Sequence, residues 1–192
     1  MSPFLPTLFT VAMVEIGGAT AQFSGSLVAG GTSDRTALRA LGIISAGVMA
    51  LAAVGAYAIS GIDDLIPQVK TLMLGMALIW ASIGQFRVLK PVAAVEGEYS
   101  SVIALRGYAR LALSGSAGFV AFVWGVVGGS ALDAVSEAAL GGWIGIILAN
   151  VPPLLLTRRQ IRKMHIDWLR MASGTLLALA GFIYALSALK LL

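Results

Sequence analysis

The stretch ALGIISAGVMALAAVGAYAISGI, residues 40–62, contains no charged residue. A helix needs about 20 apolar residues to cross about 30 Å of hydrocarbon, so this stretch is long enough to span a bilayer. Alanine, leucine and glycine dominate it, and strand-like alternation is weak. Lipid offers no partner to backbone N–H and C=O groups, so only helices and closed barrels span it. The composition selects helices. Working outward, charge-free gaps recur at 71–86, 111–132, 138–157 and 171–189, and before Asp34 the only charge is Glu15. These gaps predict helices over 4–29, 38–61, 68–88, 108–131, 136–157 and 168–189. Lys70 and Arg87 extend the shortest gap by snorkelling. The start, Met1-Ser2-Pro3-Phe4-Leu5-Pro6, lacks the basic n-region of a cleaved signal peptide.

Composition supports the same class. The chain has 192 residues, 58% hydrophobic and 11% charged, with a mean hydropathy of +0.92. Soluble domains run about 45–50% apolar and about 25% charged. A water-soluble globule is excluded, as is a disordered chain, which needs few apolar residues. Cysteine is absent and histidine occurs once, at His165. Disulfides, thiolate metal sites, cysteine nucleophiles and histidine-based metal clusters are therefore excluded, and no cofactor is implied.

The basic residues alternate by connection. Arg35 and Arg39 fall in the first; Arg87, Lys90, Arg106 and Arg110 in the third; Arg158, Arg159, Arg162, Lys163 and Arg170 in the fifth. The other side holds only Lys70 and Lys190. The positive-inside rule then places both termini outside the cytoplasm. The pI of 9.8 is explained by topology and lipid-headgroup contacts, not by nucleic acid. The short connections point to a bacterial inner membrane.

The longest connection carries Pro91, Glu96 and Glu98 near the middle of the chain. It divides a first repeat, 1–90, from a second, 107–192, through a cytoplasmic linker at 91–106. The halves echo each other at a shift of roughly 100 residues, with Gly17 matching Gly118. Three spans per half make the second half enter from the opposite face. The expected fold is an all-α membrane protein of six transmembrane helices in two inverted three-helix repeats, a plan common in secondary transporters.

Glu15 alone among the acidic residues lies mid-span. Ionised, a carboxylate at a helix centre costs about 2.5–3.5 kcal/mol on insertion scales and marks a candidate functional site. It opens the run Glu15-Ile16-Gly17-Gly18-Ala19-Thr20-Ala21-Gln22. Helical spacing puts Gln22 and Ser26 on its face, and Gly17-Gly18 lets the helix bend or unwind. The alternative is a protonated Glu15 bonded to a neighbouring helix, with the glycines as close-packing surfaces. The matching place in the second half reads Ser114-Gly115-Ser116-Ala117-Gly118. It is not a nucleophile elbow, which would need glycine at 114. No intramembrane His or Lys is available to activate Ser114 or Ser116, so the expectation is a protein that is not an enzyme. Asn150 precedes Pro152 and Pro153; it either lines the site or satisfies the backbone that proline frees. Ser82 and Gln85 are expected to make interhelical hydrogen bonds. Trp80, Trp124, Trp143 and Trp168 are expected in aromatic belts or packing.

These residues resemble the Gdt-type cation/proton antiporters, relatives of the lysine-exporter superfamily. That family exchanges Ca²⁺ or Mn²⁺ for protons. Each of its repeats opens with Glu-x-Gly-Asp-[Lys/Arg]-[Ser/Thr]. Glu15, Gly17 and Thr20 match the first motif, while Gly18 and Ala19 replace its Asp and basic residue. In the second motif Gly118 matches, and Ser116, Phe119 and Val120 replace Glu, Asp and the basic residue. The resemblance implies a transported divalent cation and protons as partners, with Glu15 as metal ligand and proton carrier. The family's site offers four acidic residues, whereas this chain offers one. Such ions prefer several oxygen ligands, usually with carboxylates among them. The other readings are therefore an accessory subunit, pairing with itself or an intact homologue, and an exporter of another small solute.

Overall fold

The structure, a computed structural model, describes residues 2–60, 66–86, 101–129, 132–155 and 166–191. Asp63, Asp64, Lys90, the two linker glutamates, His165 and the basic residues at 87 and 158–163 lie outside the described residues. Among the described residues there are eight α-helices and no strand. They are α1 (Phe4–Glu15), α2 (Ala19–Ala29), α3 (Asp34–Ser60), α4 (Pro67–Phe86), α5 (Ser101–Ser114), α6 (Ala117–Gly128), α7 (Leu132–Leu155) and α8 (Ile166–Ala188). Four of these, α3, α4, α7 and α8, are each long and apolar enough to cross a membrane. The pairs α1–α2 and α5–α6 pass that test only as bent units, at 65° and 55°, which gives up to six spans.

Local chemistry sets several boundaries. Ser33 caps α3: its hydroxyl accepts the Thr36 N–H at 3.3 Å. Pro67 occupies the first turn of α4, where a missing N–H costs nothing. α5 already includes Ser101, whereas the charge gaps predict a helix only from 108, so residues 101–106 of the expected linker are helical. Ala104 and Tyr108 face inward there, while Arg106 and Arg110 face outward. A charge gap delimits an apolar stretch, and an amphipathic helix runs past it.

The molecule is apolar outside and partly polar inside. Ile43, Leu51 and Val54 on α3 are 64–68% exposed. Glu15, Ser24, Gln85 and Asn150 are buried. Water would penalise such a surface, and hydrocarbon does not. With the apolar helices, this identifies a membrane protein.

Glycines bring the helices together. A Cβ on Gly145 of α7 would lie 2.7 Å from the Leu8 carbonyl oxygen of α1, and Gly141, one turn earlier, meets the Phe4 carbonyl. On α4 and α8, a Cβ on Gly75 would lie 2.7 Å from the Gly181 carbonyl oxygen, so these backbones touch. Helix directions follow from such contacts. The pair α1–α2 runs parallel to α7, meeting Gly141 and Gly145 through α1, then Asn150 and Pro153 through α2. The pair α5–α6 runs parallel to α3: Gly118 packs on Val48 and Gly125 on Ala56. Each bent pair thus lies along a continuous helix of the other half. The two bent pairs are antiparallel, with Trp124 Nε1 donating to Thr10 Oγ1 at 3.0 Å and Gly128 against Pro3.

Candidate functional site

The two breaks lie at residues 16–18 and 115–116. Gly17 makes the first possible. Its φ is +63°, a conformation that favours glycine. A Cβ there would lie 2.6 Å from Ile166 Cγ2 and 2.8 Å from Arg170 Cγ. Gly18 is extended and caps α2, its N–H bonding the Glu15 carbonyl at 3.0 Å. Glu15 is therefore the last residue of a half-helix. Overpacking typically costs about 1–3 kcal/mol, and a positive φ adds strain. Gly17→Ala is expected to lower the melting temperature in detergent by several degrees; an unchanged melt would contradict this packing.

Side chains of other helices brace the break. The Gln85 amide Nε2 donates to the Met13 carbonyl at 3.0 Å and also to the Val14 carbonyl. These carbonyls sit in the last turn of α1, where a helix leaves acceptors unsatisfied. Arg170 in turn donates to the Gln85 carbonyl oxygen at 3.1 Å. Gln85 thus makes the expected interhelical bonds, whereas Ser82 bonds back to Ile79 of its own helix. Arg170 departs from the expected loop role: it lies within α8, is 7% exposed and packs against the break.

The Glu15 carboxyl is buried beside the side chains of Thr20 and Asn150. A chain of bonds starts from Asn150. Ser24 Oγ lies 3.1 Å from Asn150 Oδ1 as donor, and 2.8 Å from the Tyr108 hydroxyl. Ser24, Tyr108 and Asn150 are all fully buried. Asn150 also donates to Ile146 O at 2.9 Å, so it joins the site and braces its own helix ahead of Pro152. Glu15, Thr20, Ser45 and Tyr108 line one small cavity with apolar residues such as Leu41 and Ala117. Its free volume is about 10 Å³, close to the minimum for a single water.

The second break reaches the same place. A Cβ on Gly115 would lie 3.8 Å from Glu15 Oε1, 3.2 Å from the Leu111 carbonyl oxygen and 3.7 Å from that of Ala112. The C-terminal ends of α1 and α5 therefore converge on the carboxyl. Such ends carry the negative pole of the helix dipole and suit cations.

The sequence-predicted residues divide as follows. Glu15, Gly17, Gly18, Thr20 and Asn150 meet at the first break. Gln22 does not join the cavity lining; the unwound turn resets the helical register, so that Thr20 faces the cavity and Ser24 the bonded network. Ser26 bonds Phe23 O. Ser114 is exposed and bonds Leu111 O, and Ser116 caps α6 with its backbone. Neither lines the cavity; their neighbour Gly115 is what approaches Glu15. Gly118 seats α6 on Val48. The two breaks lie 98–99 residues apart in the chain, and Ser114 ends α5 as Glu15 ends α1. Tyr108 and Ser45 also line the cavity and Ser24 joins the bonded network, though no functional pattern in the sequence marks any of them. Their only signal was a hydroxyl in an apolar stretch. Trp143 packs inward, donating to Gly42 O at 3.1 Å, while Trp80 and Trp168 are over 60% exposed. No protein-family model, curated protein or solved structure matches the chain.

Proposed function

We propose that this chain is a secondary transporter that exchanges a small cation for protons, with Glu15 holding each in turn. The observation that carries this reading is the position of Glu15. It is a buried carboxyl at the break of a bent apolar helix pair, at a small cavity that Ala112 and Ala117, on either side of the second break, also line. An intramembrane ionisable residue facing a cavity marks ion or proton pathways in membrane proteins. The free volume admits one water-sized species and argues against a larger solute. The resemblance to Gdt-type antiporters implies Mn²⁺ or Ca²⁺ as cargo. Against that stands a poor donor set: among the described residues no three His, Cys, Asp or Glu side chains cluster.

The architecture that goes with this reading is six crossings in two inverted repeats, residues 1–90 and 107–192. The helix directions support it. Each bent pair lies parallel to the second helix of the other half, and α4 and α8 pack antiparallel. A two-fold axis in the membrane plane generates this exchange. The proposed setting is a bacterial inner membrane with both termini outside the cytoplasm. A phosphatase reporter fused after Leu192 is expected to be active, and a fluorescent reporter that matures only in the cytoplasm to be dark. A bright cytoplasmic reporter there would overturn the orientation.

The function itself is tested with purified protein in proteoliposomes containing a pH-sensitive dye. A cation gradient is expected to drive counter-movement of protons above the protein-free background. Silence with Na⁺, K⁺, Ca²⁺ and Mn²⁺ alike would remove the exchange reading.

A further inference from the structure

We infer that the Glu15 cavity is built for a small monovalent alkali cation and not for a divalent one. This rests on the exchange reading only for its place in transport; the binding claim stands on the donor set. The polar residues that line it are Glu15, Thr20, Ser45 and Tyr108. Its polar side chains therefore present oxygen, the donor that hard cations take. It holds one acidic side chain and no basic one.

Charge balance decides the valence. A monovalent ion against one carboxylate leaves the cavity neutral. A divalent ion leaves one uncompensated positive charge in a low-dielectric interior, which is costly. Arg170, the other buried charge among the described residues, lies on the far side of Gly17 and is itself a cation, which adds to the cost of excess positive charge. The neutral oxygens around the carboxyl replace part of an alkali ion's hydration. Gly115, at the C-terminal end of α5, lies next to Glu15 Oε1, so the negative pole of that helix adds potential without net charge. The free volume of about 10 Å³ leaves room for a dehydrated ion and none for a hydration shell. Small divalent ions hold their water more tightly, and their sites return several oxygen ligands, usually with carboxylates among them.

The test uses the full-length protein in detergent, with unfolding followed by tryptophan fluorescence at constant ionic strength set by N-methylglucamine chloride. A ligand that binds only the folded state raises the midpoint as ln(1 + [L]/Kd). NaCl or KCl is expected to raise it saturably, and CaCl₂ or MnCl₂ at equal concentration not to. Glu15→Gln is expected to lose the alkali response. Tyr108→Phe, which keeps the ring, is expected to weaken alkali affinity about tenfold, and serves if Glu15→Gln does not fold. Gly18→Asp adds a second negative charge three residues from Glu15, and is expected to gain a Ca²⁺ and Mn²⁺ response. A wild-type protein that prefers Ca²⁺ or Mn²⁺ would overturn the inference. So would an alkali response that survives Glu15→Gln, or no response to any ion. The two readings fail separately. Proton flux driven only by divalent ions retires the monovalent site and keeps exchange; Glu15-dependent alkali binding without proton flux retires exchange and keeps the site.

Discussion

Glu15→Gln is expected to reduce cation-driven proton flux to the protein-free background while the protein remains folded. Glutamine has the length and shape of glutamate and can still engage Thr20 and Asn150, the side chains beside Glu15. What it loses is ionisation. Exchange at a single site requires one group that binds a proton in one state and a cation in the other. Among the cavity-lining residues Glu15 is the one carboxyl. The Tyr108 phenol, fully buried and bonded to Ser24, does not substitute for it near neutral pH, since even a phenol free in water ionises only near about pH 10. The measurement is dye quenching in proteoliposomes, paired with size-exclusion profiles of both proteins. Transport by Glu15→Gln at the wild-type rate would remove Glu15 from the mechanism. A silent wild-type protein would favour the accessory-subunit reading, in which an intact homologue supplies the missing carboxylates.

Gly181→Leu is expected to produce the largest loss of stability. A Cβ on Gly181 would lie 2.8 Å from the Gly75 carbonyl oxygen and 2.9 Å from the Ile79 backbone nitrogen. Both are backbone atoms, so a side chain there must push α4 away from α8. Overpacking in a core that adjusts costs about 1–3 kcal/mol; two touching helices cannot adjust locally, and the expected cost exceeds that range. Gln85 and Arg170 join the same two helices to the break, so the site is lost with the packing. The informative contrast is Gly84→Ala on α4, where a Cβ meets nothing within 4 Å. Alanine removes glycine's helix penalty of about 0.8–1.0 kcal/mol, so that variant is expected to melt at or above the wild-type temperature. Equal melting of Gly181→Leu and wild type would contradict the α4–α8 contact.

Much of the fold is legible in the residues alone because the bilayer imposes a simple rule. Backbone groups must be satisfied within each segment, and so the apolar stretches between charges mark the helices closely. Glu15 stands out for the same reason, as an acid placed far from the others. Gly17-Gly18 announces the break, since few other residues adopt the left-handed turn found at Gly17. The neighbours of the carboxyl are another matter. In water a helix shows its inner face by a 3.6-residue apolar stripe; here both faces are apolar, and Leu51 outside reads like Leu41 inside. The break also erases the register, which is why Thr20 and Ser24, and not Gln22, turn toward the site.

What the sequence determines by itself is therefore the solvent, the segments, the charge alternation and the lone carboxyl. The tertiary structure alone decides which hydroxyls surround that carboxyl, that Arg170 is a buried brace, and that Gly115 carries the second break to Glu15. The physical reason is that these contacts are set by where helices cross. The crossings are fixed by glycines such as Gly75, Gly141, Gly145 and Gly181, which touch the backbone of a distant helix, and nothing local in the chain records which helix that is.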